Sequence, residues 1–440
     1  MDGEHQPATV LDAVAQLSAS REWRPEALYF VGGREKLKDL SELRREGWEL
    51  IAPDRPFGDF RYYLGRFEPE LVVDLSDLPV LSPTRRLGLA CEALAAGAIY
   101  RGSDFEFRPP RFEEVLTKPS CAIIGTGKRC GKTAVSAEMA RFLMAGRYRP
   151  AVVAMGRGGP PQPHILEGRE IDERFLLAET DRGLHAASDY YEDALVAGVT
   201  AVGSRRCGGG MAGEPFVTNC IEAARMAEDL PVDVVIMEGS GSSLPPVQTD
   251  VRVCVISAAQ DVEEALGFLG AYRLLISDGV IITMAEEPFA SPEKLEELEK
   301  RVYQVYGRIE TVKTILRPHP LKSIRGRKVF LVCTAPEAAG GILEDYLQEV
   351  EGCQVVGVSH SLSDRRFLEK DLERTDEAEV ILSELKAAAV DVVTRFAFRQ
   401  GKEVAYFHNR VVPTGSGIEL DEFFEKTWDL ARERSCHRER

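Results

Sequence analysis

Apolar residues in this chain come in short runs separated by stretches of mixed polarity. Ala27-Leu28-Tyr29-Phe30-Val31, Trp48-Glu49-Leu50-Ile51 and Leu71-Val72-Val73-Asp74-Leu75 read as strands, with amphipathic segments between them. That alternation is α/β patterning. The first run leads into Gly32-Gly33, but no GxGxxG follows, so a tight strand-to-helix turn is the reading there. Phe107-Arg108-Pro109-Pro110-Arg111 reads as a linker, because consecutive prolines bar a helix and remove backbone donors. Beyond it, apolar runs at 121–124, 151–155, 232–237, 251–256 and 279–284 alternate with helix-length segments. This spacing predicts a parallel sheet covered by helices on both faces. Arg317-Pro318-His319-Pro320 breaks the pattern. Runs at 329–334, 355–359 and 404–407 then supply a third α/β unit, either separate or continuing the central sheet. The last ten residues, 431–440, are charged and predicted to fray.

Composition narrows the class of protein. At 440 residues the chain exceeds one ordinary core, and an apolar fraction of 44% with 29% charged residues is that of a globular protein without a membrane span. The N-terminus lacks a basic region followed by an apolar core, so a cytoplasmic location is expected. Nine cysteines with no CxxC pair read as reduced, mostly buried thiols. A formal charge of −16 argues against non-specific nucleic-acid binding, though not against a small anion held by a local cluster of cations.

The run Cys121-Ala122-Ile123-Ile124 leads into Gly125-Thr126-Gly127-Lys128-Arg129-Cys130-Gly131-Lys132-Thr133, and a helix former follows from Ala134. Strand, glycine-rich loop, GKT and helix together make a P-loop: backbone amides form an anion nest and the helix N-terminus adds its dipole. Lys132 is expected on the β- and γ-phosphates of ATP and the Thr133 hydroxyl on Mg2+. The strict GxxxxGK[ST] spacing is not met, since Thr126 stands where the first glycine belongs; GTxxxxGKT resembles the loop of dethiobiotin synthetase. Nucleotide contacts are expected from residues 125–134, Ala134 included. Val232-Asp233-Val234-Val235-Ile236-Met237-Glu238 reads as the metal-side strand, with Glu238 beside Thr133.

Two further segments carry cations among glycines. Met155-Gly156-Arg157-Gly158-Gly159-Pro160-Pro161-Gln162-Pro163-His164 is expected to be a loop at the carboxyl end of a strand, aiming Arg157 at the phosphates. Gly203-Ser204-Arg205-Arg206-Cys207-Gly208-Gly209-Gly210-Met211-Ala212-Gly213 is expected to be a second anion loop, with linker and lid readings open. Lys132, Arg157 and Lys128 are the candidate catalytic cations. Arg157, Gly158, Gly159, His164, Arg205, Arg206, Gly208, Gly209 and Gly210 are the candidate contacts to a second, strongly anionic substrate. No NKxD follows the late strands, so base preference is open, and Thr283-Met284-Ala285-Glu286 is only a positional stand-in.

GTGKRCGKT, MGRGGPPQP, RRCGGGMAG and VIMEGSGSS, in this order after an N-terminal α/β segment, resemble the cyclic 2,3-diphosphoglycerate synthetase family. Residues 358–366 and 391–395 look like the same family's C-terminal part; His360, Ser361, Asp364 and Arg365 stay outside the main site, because an N-cap and surface ion pairs explain them equally well. The patterning gives a smaller Rossmann-like α/β domain (1–115), a P-loop catalytic domain with a parallel sheet (116–320) and a C-terminal α/β segment (321–440), either separate or continuing the central sheet, and the resemblance spans most of this length. It implies an ATP- and Mg2+-dependent ligase that closes 2,3-diphosphoglycerate into its cyclic phosphoanhydride, releasing ADP and phosphate. A homodimer is expected. Two alternatives share the P-loop: a dethiobiotin-synthetase-like ligase acting on a carboxylate, and a nucleotide-switch or metallochaperone protein.

Overall fold

A computed structural model describes residues 1–19, 23–33, 43, 47–168, 171–415 and 417–438. The chain forms two compact units, Met1–Pro110 with Leu266–Ile276, and Arg111–Ala265 with Ser277–Arg440. In the first, α1 (Pro7–Ala19), β1 (Ala27–Tyr29), β2 (Glu49–Ile51), α2 (Phe60–Phe67), β3 (Leu71–Val73), α3 (Pro83–Ala95), β4 (Ile99–Arg101) and β5 (Glu106–Phe107) follow in order. β1 and β2 pair in parallel, and β3, β4 and β5 make a separate small sheet. Ser82 caps α3 by accepting the Arg85 amide, and Pro83 occupies the first turn, where a missing N–H costs nothing.

The second unit carries β6 (Ser120–Gly125), α4 (Lys132–Ala145), β7 (Pro150–Gly156), β8 (His164–Glu167), α5 (Glu173–Asp181), α6 (Asp189–Ala197), β9 (Thr200–Cys207), β10 (Val217–Thr218), α7 (Cys220–Asp229), β11 (Val234–Glu238) and β12 (Val251–Ser257). After α8 (Val262–Leu266), and α9 (Ala271–Leu275) in the stretch that joins the first unit, come β13 (Gly279–Thr283), α10 (Pro292–Tyr306), β14 (Glu310–Pro320), β15 (Lys328–Val332), α11 (Gly340–Tyr346), β16 (Gln354–Ser359), α12 (Arg365–Leu372), β17 (Val380–Glu384), α13 (Arg395–Arg399), β18 (Glu403–Pro413) and α14 (Leu420–Arg438).

One sheet runs through this unit in the order β10-β9-β7-β11-β6-β12-β13-β14-β18-β17-β15-β16, with β8 also on β9. From β9 to β14 every pairing is parallel, and so is every pairing from β18 to β16. The two parallel blocks meet at a single antiparallel ladder, β14 against β18. Strands β6, β7, β11 and β13 are buried along their whole length, as expected for a sheet covered on both faces.

The predicted break at Arg317-Pro318-His319-Pro320 is instead the second half of β14. Leu321 N–H bonds to the Tyr406 carbonyl, so along this strand odd-numbered amides face β18 and those of Pro318 and Pro320 would face away. Beyond Lys313, β18 is the strand's sheet partner among the described residues, and the missing N–H groups interrupt no ladder.

The C-terminus is likewise not frayed up to Arg438; residues 439 and 440 lie outside the described residues. Phe423, Phe424, Trp428 and Ala431 bury one face of α14. Arg438 Nη1 donates to the Leu116 carbonyl (2.9 Å) and Nη2 to buried Asp250 (2.8 Å), while Arg434 pairs with Asp278 at 2.8 Å. Charge at this end therefore anchors the helix where it was expected to solvate it. Asp250 also takes the amide and hydroxyl of Ser120, at the root of the P-loop strand.

Arg438→Ala should lower unfolding stability by about 1–2 kcal/mol, because Asp250 loses a partly buried charged partner. Urea denaturation should show a larger loss than for Lys426→Ala, which removes a pairing on the exposed face of the same helix. Equal midpoints for the two variants would mean that Arg438 does not anchor the helix.

Candidate functional site

The loop after β6 is shaped by contacts that only glycine permits. A Cβ on Gly125 would lie 2.5 Å from the Cys130 Sγ, and one on Gly127 would lie 2.3 Å from the Gln260 side-chain nitrogen. Gly131 takes φ +90 at the start of α4. Thr126 Oγ1 donates to Gln260 Oε1 (2.7 Å), and Thr283 Oγ1 holds the Cys130 carbonyl (2.7 Å). The buried Lys132 ammonium bridges the loop, donating to the carbonyls of Gly127 (2.9 Å) and Gly241 (3.0 Å). The Cys130 thiol donates to the Gly127 carbonyl at 3.3 Å, which gives it a loop-shaping part. Lys128 and Arg129 are exposed; Arg129 reaches Ser363 Oγ at 2.6 Å.

Thr133 Oγ1 donates to Glu238 Oε1 at 2.7 Å, inside the protein at the end of β11. Asp193, on α6, lies against the same carboxylate and is fully buried. Both groups are acceptors when ionised, so they bond only when one carries a proton. Burial, then the charge of Glu238, raise the Asp193 pKa well above the usual range. Glu238 itself is pushed up to about 7, by burial first and then by the charge of Asp189, while the Thr133 hydroxyl opposes the rise.

These groups open onto a cavity of ≈ 820 Å3. Its lining takes in Lys128–Ala134 of the loop and helix start, Arg157 and Gly158 after β7, and Glu238–Gly241 after β11. Arg206 Nη2 donates to the Ser240 carbonyl (2.8 Å) and Nη1 to that of Gly208 (3.0 Å), leaving Nε buried without a partner among the described residues. A Cβ on Gly241 would meet the guanidinium groups of both Arg157 and Arg206 at 3.3 Å. Burial and then the charge of Arg157 hold the Arg206 pKa below its ordinary value. Two adjacent guanidinium groups with a free buried donor are an arrangement that an anion relieves.

Several candidates fall elsewhere. The expected second loop is strand as far as Cys207, so Arg205 and Arg206 point to opposite faces, and Arg205 is exposed away from the cavity. Tyr190 packs on Gly203 there, where a Cβ would lie 2.7 Å from the ring. Gly208 and Gly210 belong to the turn that returns the chain to β10, and do not line the cavity; Gly209 lies against Ser243 and Arg206. His164 begins β8 and meets Tyr190 Oη at 3.3 Å, not the cavity. Gly159 is held against the Ser204 carbonyl, 1.9 Å from where its Cβ would be, and supports the loop from behind.

The opposite wall comes from the C-terminal strands, which the sequence did not place in the site; His360, left outside the main site there, lines the cavity, whereas Ser361, Asp364 and Arg365 do not. Thr334, His360, Ser363, Glu384, Lys386 and Asn409 line the cavity. Glu384 is satisfied by the amide and hydroxyl of Thr334 (2.6 Å each) and by Asn409 (2.7 Å). The Lys386 ammonium stands 3.5 Å from Glu192 Oε2 and is a third exposed. Burial favours its neutral form, but the charges of Glu192, Glu384, Asp189 and Glu238 outweigh this and raise its pKa. Glu192 is pushed up to about 8 by burial. A signal existed: Val380-Ile381-Leu382-Ser383-Glu384 repeats the pattern of β11, an apolar run closed by an acid, with a lysine two residues on. His185, just before α6, and Asp189 and Glu192 on it add to the lining, as do Met284, Glu286 and Phe289 after β13.

Within the first unit a second cavity of ≈ 570 Å3 lies among Trp23, Tyr29, Phe60, Tyr63 and Tyr100. Among the described residues it has no comparable cluster of cations. Among the described residues no helix is long and apolar enough to cross a membrane.

Family models of cyclic 2,3-diphosphoglycerate synthetase match the chain in three parts: the N-terminal domain over residues 1–108, the P-loop domain over 120–315 and the C-terminal domain over 320–410. Cyclic 2,3-diphosphoglycerate synthetase of Rubrobacter xylanophilus is 49% identical over 417 residues, 94% of either chain. That of Methanothermus fervidus is 43% identical over 420 residues, 93% of this chain and 91% of its own. Among solved structures, LpxK from Aquifex aeolicus in complex with ATP aligns over 74% of this chain and 90% of its own, at 14% identity and a TM-score of 0.43.

Cys130→Ser keeps a donor for the Gly127 carbonyl and should leave affinity for an ATP analogue within about twofold, while Lys132→Ala should weaken it by about tenfold or more. Equilibrium titration with a fluorescent nucleotide separates the two. Comparable losses would give the thiol a part in phosphate binding.

Proposed function

Because the chain belongs to the cyclic 2,3-diphosphoglycerate synthetase family, a family of ATP-dependent ligases, we propose that this cavity is where ATP and 2,3-diphosphoglycerate meet and where the intramolecular anhydride closes. The observation that carries this placement is the facing of two cationic groups across one cavity: the P-loop with Arg157 on one wall, and Lys386 on the other. One nucleotide phosphate chain does not need both walls. A second polyanion does.

In the reaction an oxygen of one substrate phosphate attacks the γ-phosphorus of ATP, the bond to the bridging β–γ oxygen breaks, and ADP leaves. An oxygen of the neighbouring substrate phosphate then attacks the inner phosphorus of the new pyrophosphoryl group. Inorganic phosphate departs as the ring closes. Both steps bring anions together, so catalysis rests on neutralisation and placement and needs no protein nucleophile. Lys132 takes the β- and γ-phosphates. Arg157, with the amides after β7, holds the attacking and transferred groups, Arg206 adds charge from behind the Ser240–Gly241 segment, and Lys128 adds charge at the cavity mouth. Lys386 fixes the second substrate phosphate and so sets the geometry of ring closure.

Mg2+ fits the Thr133–Glu238 pair. Both are hard oxygen donors, buried together beside Lys132, and among the described residues no cluster of three His, Cys, Asp or Glu side chains would hold a metal alone. A short protein donor set completed by phosphate oxygens and water is the usual arrangement for this ion. When bound it would neutralise charge on the β- and γ-phosphates. A homodimer belongs to the same reading; its support is the apolar surface of Met211, Phe216 and Val217 after β9, where Phe216 is 91% exposed.

Incubation with ATP, Mg2+ and 2,3-diphosphoglycerate should yield the cyclic anhydride by phosphorus NMR, and chelation of the metal should abolish it. ADP release that occurs with an unphosphorylated carboxylate substrate and not with 2,3-diphosphoglycerate would overturn the placement. Arg157→Ala should cut anhydride formation by roughly 10²–10³-fold while ATP affinity stays within a few-fold. Lys386→Met should raise the KM for 2,3-diphosphoglycerate by on the order of tenfold or more, with partial rescue in Lys386→Arg. A KM unchanged in Lys386→Met would remove that residue from the substrate site.

A further inference from the structure

The Thr283-Met284-Ala285-Glu286 segment lies at the end of β13, two strands from the P-loop strand. Its last residue is a carboxylate, and it reaches the same cavity as the P-loop, beside Met284 and Phe289. A carboxylate facing a purine favours guanine, whose N1–H and 2-amino group are adjacent donors matching two oxygens. Adenine offers an acceptor at N1 and no 2-amino group. Left free, Glu286 would thus select the wrong base for an ATP-dependent enzyme.

It is not free. The Ala285 amide bonds to the Thr314 carbonyl (3.0 Å), which seats this segment against β14 and brings Glu286 under Arg317. Arg317 Nη2 donates to Glu286 Oε2 at 2.6 Å and Nη1 donates to Oε1, so both carboxylate oxygens are taken by one guanidinium. Arg317 Nη1 also donates to the Leu316 carbonyl (3.0 Å), and the guanidinium lies over the Tyr346 ring. The two side chains are only 15% and 21% exposed, so little solvent competes for the pair. The planar fork matches a carboxylate at two points, which a lysine would not.

We infer that the Arg317–Glu286 pair is the base-selecting element of the nucleotide site: Arg317 masks the carboxylate that would otherwise accept the Watson–Crick edge of guanine, and so leaves the cavity to adenine. This rests on the proposed use of ATP in this cavity. Selection here works by withdrawing a contact from the competing base. Arg317→Gln unmasks Glu286, and the gain for guanine then requires Glu286 itself.

Calorimetric binding of ADP and GDP to wild type, Arg317→Gln, Glu286→Gln and the double variant tests this. Wild type should bind ADP at least about tenfold more tightly than GDP, and Arg317→Gln should shift the ratio toward GDP by about tenfold or more. Glu286→Gln and the double variant should show no gain for GDP. If Arg317→Gln proves unstable, Arg317→Lys, which keeps the charge but loses the two-point fork, should show an intermediate shift. A wild type indifferent to the base, a ratio unmoved by Arg317→Gln and Arg317→Lys, or an equal gain for GDP in the double variant would overturn the inference. Because the readout is nucleotide binding, these outcomes are independent of whether 2,3-diphosphoglycerate is the second substrate. Failure of anhydride synthesis by the wild-type enzyme would count against the proposed function alone.

Discussion

The antiparallel ladder between β14 and β18 is the constraint on which the site depends. β14 runs parallel to β13 only as far as Lys313 and then continues past the carboxyl ends of the P-loop block, where β18 returns along it from Pro413 to Phe407. β18 pairs in parallel with β17 at its far end, Phe407 opposite Glu384. Reversal at this one ladder turns the second parallel block around, so that its carboxyl edge faces that of the first. In open α/β sheets ligands bind at such an edge. Here two edges contribute to one cavity: the P-loop, Arg157 and Glu238 from one, and Thr334, Glu384 and Lys386 from the other.

Charge inside that cavity is balanced without being fully paired. Lys132 is held by carbonyls, and Lys386 by the Glu192 carboxylate at a distance longer than a hydrogen bond ideally takes. Glu238, Asp193 and Glu192 all have their proton affinity raised, by burial first; the charge of Glu238 raises it further in Asp193 and Glu192. Concentrations of like charge of this kind lower stability and mark sites arranged for a charged ligand. They are offset elsewhere by the packed sheet and by anchors such as Asp250, which joins the P-loop strand to the last helix.

What was legible in the sequence was local. The P-loop could be read because strand, glycines, GKT and helix are consecutive, and the anion nest is made by backbone within nine residues. Glu238 was legible because an apolar run closed by an acid is itself a local pattern, and the Thr133 contact followed from the motif. The N-terminal runs at 27–31, 48–51 and 71–75 were read as strands for the same reason. Adjacent arginines among glycines, by contrast, were read as a loop. Pairing of β9 with β7 and β10 made them strand residues, and alternation across the pleat then buried Arg206 beside Ser240 and left Arg205 exposed.

Sequence by itself thus determined the fold class, the phosphate grip and the family to which the chain belongs, since each of these is written in short contiguous segments. Tertiary structure decided which cations share the cavity, that Pro318 and Pro320 lie in a strand, that the charged C-terminus is tied to Asp250, and that Glu286 is masked. Each of these depends on which residues distant in sequence become neighbours: Lys386 and Glu192, Arg317 and Glu286, Arg438 and Asp250. Register across strands sets such pairs, and no local pattern records it.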